Sequence, residues 1–196
     1  MSPEPVAIVG VGADGLLGLG AEVREKIEQA DEIWGSDRIL SLFSCCPQKQ
    51  VPFGSPLSVT IRALCNRPGD RKIVILASGD PGFFGIASLV LKTLPVEEVQ
   101  IFPQVSCLQL AFARICVPWN DAIFTSAHAR SISDVIGFVR RFPKTGILTD
   151  PVQSPDWIAG KLLAAGVPDC RAVVLENIGE KDEKVIDTRL VNLTEM

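Results

Sequence analysis

A single histidine occurs in the 196 residues, and that scarcity rules out a histidine-rich metal centre. Six cysteines, at positions 45, 46, 65, 107, 116 and 170, form no C-x-x-C pair, and their scatter matches no zinc spacing. Metal-free chemistry is the expectation. Cys45 and Cys46 are adjacent, which disfavours an ordinary disulfide between them, so the thiols read as reduced and mostly buried. No run of like charge exists either. The 19 basic and 23 acidic residues are spread along the chain and leave a formal net charge of −4. A grip on nucleic acid through phosphate contacts is therefore not expected. No apolar stretch approaches the roughly 18 residues that a membrane-spanning helix needs. The first apolar segment, Val6 to Val11, follows an acidic start without a basic flank. The chain reads as cytoplasmic, with no membrane partner.

What is present is apolar material in short runs. Hydrophobic residues make up 47% of the chain, enough to build one large domain or two small α/β lobes. β-rich runs alternate with helical patterns throughout, the signature of an α/β fold with largely parallel strands. Val6 to Gly10 reads as a strand that enters a glycine-rich loop, followed by a helix with Val23, Ile27 and Ala30 on one face. A short strand, Glu32 to Gly35, precedes a loop from Pro47 to Pro56. Lys72 to Ala77 is nearly all apolar and should be covered on both faces, as central parallel strands are. A helix from about Phe83 to Leu91, a strand from Val99 to Phe102 and a helix bearing Leu108, Ala111, Phe112 and Ile115 complete the first series.

Pro118 and Trp119 then interrupt the pattern, which places a lobe boundary there: residues 1–117 form an N-terminal lobe and residues 118–196 a C-terminal one. The second series runs strand Ala122 to Ser126, helix with Ile132, Val135, Ile136 and Val139, strand Thr145 to Thr149 and helix Pro155 to Ala165. The strand Ala172 to Glu176 and a stretch from Val185 to Leu193 end it.

Two motifs carry candidate chemistry. Gly10-Val-Gly12-Ala-Asp-Gly15 fits G-x-G-x-x-G after a strand, with Asp37 near the place of a ribose-binding carboxylate, and so raises an NAD(P)-linked oxidoreductase. That fingerprint needs a helix to open inside the motif, whereas Gly18 and Gly20 prolong the loop. A glycine-rich turn with no ligand is the plainer alternative. Ser78-Gly79-Asp80-Pro81-Gly82-Phe83-Phe84-Gly85 lies at the carboxyl end of a buried strand, where open α/β sheets bind ligands. Asp80 followed by Pro81 also fits a simple helix entry, and the residues alone leave both readings open.

Taken in order, Gly10-Val-Gly-Ala-Asp-Gly-Leu16, Leu76-Ala-Ser-Gly-Asp-Pro-Gly-Phe-Phe-Gly85 and Val105-Ser-Cys-Leu-Gln-Leu-Ala-Phe-Ala-Arg114 resemble the tetrapyrrole (corrin/porphyrin) methylase family. Pro118-Trp-Asn-Asp121, Ser126-Ala-His-Ala-Arg130, Leu148-Thr-Asp150 and Leu175-Glu-Asn-Ile-Gly179 narrow the resemblance to the subgroup that methylates carbon 5 of precorrin-6Y or cobalt-precorrin substrates in cobalamin biosynthesis. The resemblance runs from Val6 to about Leu193.

It implies a two-lobed α/β architecture, each lobe a largely parallel sheet flanked by helices, with S-adenosylmethionine as cofactor in the inter-lobe cleft. By the same resemblance the cofactor falls to Ala13, Ser78, Gly79, Asp80, Ser106 and Cys107, and in the second lobe to Leu148, Thr149 and Asn177. Asp14 is the candidate catalytic residue, for proton handling or contact with pyrrole nitrogens; a turn-forming aspartate is the plain alternative. The macrocycle's carboxylates favour arginine forks, which draws attention to Arg38, Arg114 and Arg130. Arg38 and Arg130, with His128 beside the latter, are the substrate-binding candidates, a hydrogen-bonded loop histidine being the plain alternative for His128. Arg114 reads as a solvated helix residue.

A homodimer is implied, and carbon-15 chemistry would fall to a separate C15-methylating decarboxylase. Two departures stand out. The family turn P-G-V-S-S reads Pro103-Gln-Val-Ser-Cys107, placing side chains beside the expected cofactor site, and H-G-R reads His128-Ala-Arg130. Loss of the cofactor turn would leave a non-catalytic tetrapyrrole-binding protein as the second alternative.

Overall fold

Every residue of Val6–Val11 is buried, and so is nearly every residue of Ile73–Ser78; such strands need cover on both faces. The computed structural model, which describes residues 3–128 and 131–195, supplies that cover. The chain divides into two units, Met1–Ser106 and Cys107–Met196.

The first unit is built on a five-stranded sheet of β1 (Val6–Val11), β2 (Glu32–Gly35), β3 (Lys49–Pro52), β4 (Ile73–Ser78) and β5 (Val99–Phe102), in the order β3-β2-β4-β1-β5. Every pairing is parallel, so all five carboxyl ends lie along one edge. Alternation along the strands sorts the core into two layers. Ala7, Val9, Val11, Val74 and Leu76 face one way, with Ile27 of α1 (Ala21–Glu28) and with Ile39 and Leu40 of α2 (Asp37–Ser41). Val6, Ile8, Ile73 and Ile75 face the other way, with Ile61 of α3 (Leu57–Arg62) and with Ala87 and Val90 of α4 (Ala87–Val90).

The second unit begins with α5 (Cys107–Arg114). It then carries a parallel pair, β6 (Ile123–Ser126) and β7 (Thr145–Leu148), with α6 (Ile132–Arg141) between them in the chain. After α7 (Pro155–Ala164), the strands β8 (Arg171–Glu176) and β9 (Lys184–Arg189) form an antiparallel ribbon, and α8 (Leu190–Leu193) comes last. Val135, Ile158, Ala159, Leu162, Val167, Leu190 and Leu193 are its buried centre.

The α/β fold class stands, and several local expectations change. The segment read as a loop from Pro47 contains β3, an edge strand whose residues are only partly covered and which ends on Pro52, a residue tolerated at a sheet edge. The helix expected from Phe83 starts only at Ala87: Phe84 has φ 53°, outside the helical range, and a β-carbon on Gly85 would lie 2.4 Å from the Pro81 carbonyl oxygen. The division between units falls after Ser106 rather than at Pro118, because α5 packs against β6 and β7. Phe112 meets Phe124 edge-on at 5.9 Å, and Leu108 closes on Gly146. The cysteines are free thiols as expected but are not mostly buried: Cys46 is half-buried, and the other five are exposed at helix ends and loops. Among the described residues no helix is long and apolar enough to cross a membrane, and no cluster of His, Cys, Asp and Glu could hold a metal ion.

Candidate active site

The registers Val11↔Ser78 and Val9↔Phe102 start three loops side by side at the carboxyl edge of the first unit's sheet. Gly10 is the point where they meet. A β-carbon there would lie 2.0 Å from the Gly79 carbonyl oxygen and 2.6 Å from the Gln104 amide nitrogen, so only glycine lets the backbones pack. Gly79 turns with φ 60°, a conformation that disfavours any side chain, and its N–H donates to the Val11 carbonyl at 2.9 Å. Asp80 folds back on its own turn, where Oδ1 accepts from the Gly82 amide at 2.8 Å. Its helix-entry role, left open by the sequence, is thus realised as a turn.

After Gly12 the chain makes a single 3-10 turn, Gly15–Gly18, and the first α-helix opens only at Ala21. No α-helix opens within residues 10–20, so the helix start that a dinucleotide pyrophosphate uses inside such a motif is missing there. Asp14 lies across this loop. β-Carbons on Gly12 and Gly18 would come within 2.8 and 2.4 Å of its carboxylate, so those glycines make room for it. The carboxylate is exposed and makes no hydrogen bond or ion pair among the described residues. Ala13 is exposed next to it.

Side chains tie the loops into one rim. Arg38, on α2, donates from Nη2 to Ser78 Oγ at 2.6 Å, bringing a residue assigned to substrate against one assigned to cofactor. Gln104 donates from Nε2 to the Gly18 carbonyl at 2.8 Å. The amide that replaces a family glycine is therefore a strut between two loops, and its own φ is not in the left-handed range that would demand glycine. Ser106 is buried behind the rim, and Cys107 is exposed at the start of α5. Arg24 holds the far end of the first loop by donating to the Leu17 and Leu19 carbonyls.

In the second unit, Leu148 is half-buried at the end of β7 and Thr149 is exposed beyond it. His128 lies just past β6, the neighbouring strand, and its Nδ1 lies 3.0 Å from Asp150 Oδ2. Asp150 Oδ1 accepts from the Gln153 and Val152 amides at 2.7 and 2.8 Å. Those two amides, with His128, hold the Asp150 carboxyl below the usual aspartate range. Arg130 lies outside the described residues. Asn177 sits in the β8–β9 turn at φ 50° and donates from Nδ2 to Asp182 at 2.6 Å. That turn is braced: Glu183 accepts from the Gly179 amide at 2.6 Å and from Arg114 Nε and Nη2 at 2.6 and 3.1 Å. Arg114 is thus an ion-paired residue. Asp150, Glu183 and the strut role of Gln104 are features the sequence alone did not single out; the only signal was that Asp150 ends the Leu148-Thr-Asp150 segment.

A match to the family model Tetrapyrrole (Corrin/Porphyrin) Methylases spans residues 5–194. The chain belongs to this family. It is 30% identical over 181 residues to the precorrin-6Y C(5,15)-methyltransferase [decarboxylating] of Sinorhizobium sp, an alignment that takes in 92% of this chain and 44% of that one. The chain therefore spans less than half the length of that relative. It is 29% identical over 180 residues to the cobalt-precorrin-7 C(5)-methyltransferase of Salmonella typhimurium, covering 92% of this chain and 88% of that one. The crystallised uroporphyrin-III C-methyl transferase of Thermus thermophilus, complexed with S-adenyl homocysteine, shares the fold: TM-score 0.71 at 20% identity, over 97% of this methylase and 86% of that chain.

The described residues fit an adenosyl methyl donor. The Asp80 turn offers an acceptor for hydroxyl or ammonium groups, the Ser78 hydroxyl a donor for a carboxylate, and the glycine backbones leave room for close approach.

Proposed function

We propose that this methylase transfers the methyl group of S-adenosylmethionine to carbon 5 of a precorrin or cobalt-precorrin in cobalamin biosynthesis. The observation that carries the reading is the alignment along 88% of a relative named for that reaction, which leaves little of that relative unmatched. In this reading Ala13, Ser78, Gly79, Asp80, Ser106 and Cys107, with Leu148, Thr149 and Asn177 of the second unit, hold the donor. Arg38, His128 and Arg130 take the macrocycle's carboxylates and edge.

The donor arrives as an activated sulfonium, so the chain need not provide a covalent nucleophile. Its residues hold carbon, methyl and sulfur in line, and such orientation can lower a barrier by about 7 to 11 kcal/mol. The rim supplies what that requires: loops locked to one another at Gly10, Arg38–Ser78 and Gln104–Gly18 rather than free to sample. Asp14, unpaired at the rim, is placed in this reading to touch pyrrole nitrogens or redistribute a proton. A cytoplasmic homodimer, working with a separate C15-methylating decarboxylase, belongs to the same proposal.

Calorimetry with S-adenosylmethionine and S-adenosylhomocysteine, with NADH and NADPH as controls, tests the donor. Stoichiometric binding of the adenosyl ligands alone is expected, along with methylation of a precorrin preparation at carbon 5. Binding of the nicotinamide cofactors instead would restore the oxidoreductase reading. Binding of a corrinoid without either would leave a non-catalytic binding protein.

A further inference from the structure

The His128–Asp150 pair has the form of an oriented base, a capacity beyond the contact role assigned to the histidine. β6 and β7 are parallel neighbours with Ser126 opposite Leu148, so the two side chains leave adjacent carboxyl ends of one small sheet. Their meeting is built by the fold, since the residues are 22 apart in the chain. Asp150 cannot swing freely: two backbone amides occupy Oδ1 and direct Oδ2 at the imidazole. An ionised carboxylate only accepts hydrogen bonds, so Nδ1 must carry the hydrogen, whatever the state of the rest of the ring. The unprotonated nitrogen of the neutral ring is then Nε2. The His128 side chain is 75% exposed, whereas that of Asp150 is 17% exposed, so a covered carboxylate orients an open imidazole. Asp150, just past β7, is the charged group that contacts the ring among the described residues, and none of residues 123–127 on the histidine's own side is titratable.

Resting on the methyltransferase reading, we propose that His128 Nε2 accepts the proton released when the macrocycle is methylated, and that Asp150 is the positioning residue that fixes the tautomer. The balance is complete. A macrocycle π-electron pair forms the new C–C bond, the methyl–sulfur pair returns to sulfur and neutralises the sulfonium, and the methylated ring gives up one proton. Nε2 takes that proton, Asp150 stabilises the resulting imidazolium, and solvent removes the proton from the exposed ring. The logic is that of a base held by a third group.

Because the chain has one histidine, its ring nitrogens give a single set of NMR signals. The expected spectrum of the full-length protein at mildly alkaline pH is the Nδ1–H tautomer. Asp150→Asn, whose Oδ1 can still accept from Val152 and Gln153 while its amide donates toward the ring, should switch the ring to Nε2–H. In turnover, His128→Gln should lower kcat by roughly 10²-fold or more, beyond any rise in KM for the macrocycle, and should flatten the acidic limb of the kcat–pH profile. Asp150→Asn should lower kcat in the same sense. Wild-type turnover together with an unaltered kcat and pH profile in His128→Gln would overturn this assignment and leave the methyltransferase reading intact, as would an Nε2–H ring in the wild type. A wild-type chain that binds no adenosyl donor and methylates nothing would overturn both.

Discussion

Gly10 and Gly137 both sit inside regular elements, and the space around them gives opposite expectations. At Gly10 an added β-carbon would penetrate the Gly79 carbonyl and the Gln104 amide, both backbone groups that cannot rotate away. Gly10→Ala should therefore force two loops apart and cost about 3 kcal/mol, the upper end of ordinary overpacking, with weakened donor binding as a second consequence. At Gly137, in α6, nothing lies within 4 Å of the added carbon. Gly137→Ala should stabilise the helix by roughly 0.5–1 kcal/mol, since glycine in a helix interior carries an entropic penalty. Urea unfolding of the two variants beside the parent checks both signs. An unchanged midpoint for Gly10→Ala would mean that the loops are not packed as described.

Among the elements, those buried on both faces were the readable ones. β1, β2 and β4 are short apolar runs because polar residues have little place in the middle of a covered parallel sheet, and their limits are legible to within a residue. β5, an edge strand with Gln100 and Ile101 exposed, is legible through its β-branched and aromatic residues instead. β3 was hidden because an edge strand keeps Lys49 exposed and ends in Pro52, which looks like a loop when its partner strand is not in view. The helix expected from about Phe83 starts late because the left-handed Phe84 belongs to the close turn over Pro81, which no local pattern signals. The candidate site divides in the same way. Gly10 and Gly79 could be found in sequence because a conformational demand is written in the residue type itself. The pairs His128–Asp150 and Arg114–Glu183 join residues 22 and 69 apart, and only the fold brings them together.

The Arg114–Glu183 pair ties the end of α5 to the β8–β9 turn. Arg114→Gln removes the fork that holds Glu183 over the Gly179 amide, so the turn that presents Asn177 should loosen without any loss from the core. KM for the methyl donor should rise roughly two- to fivefold, as suits an exposed pair, with kcat nearly unchanged and Arg114→Lys partly restoring the parent value. Steady-state kinetics at low and high salt would show it; equal KM values for the parent and Arg114→Gln would remove the turn from the donor's site.

Across the whole molecule the two units differ in what holds them. The first has two apolar layers on either side of a parallel sheet, whereas the second has one buried cluster, a short parallel pair and an antiparallel ribbon. The second also carries most of the carboxylates held below their ordinary range. Arg189 does this to Asp169, Arg171 to Asp187, Arg114 to Glu183, Lys144 to Asp121 and the Gln153 amide to Asp150. A carboxyl whose folded value is depressed stabilises the fold above its unfolded value, about 3.9 for Asp and 4.3 for Glu, and loses that contribution as pH falls through the folded value. Stability of the second unit should therefore be level down to about pH 5 and decline below it, while the apolar layers of the first unit persist to lower pH. Tryptophan placement makes the order observable: Trp34 is buried in β2 of the first unit, and Trp119 and Trp157 belong to the second. In an acid titration, a variant keeping only Trp157 should report an earlier transition than one keeping only Trp34. Coincident transitions, or an earlier one at Trp34, would show that the two units unfold as one or that the acid-sensitive contacts lie in the sheet of the first.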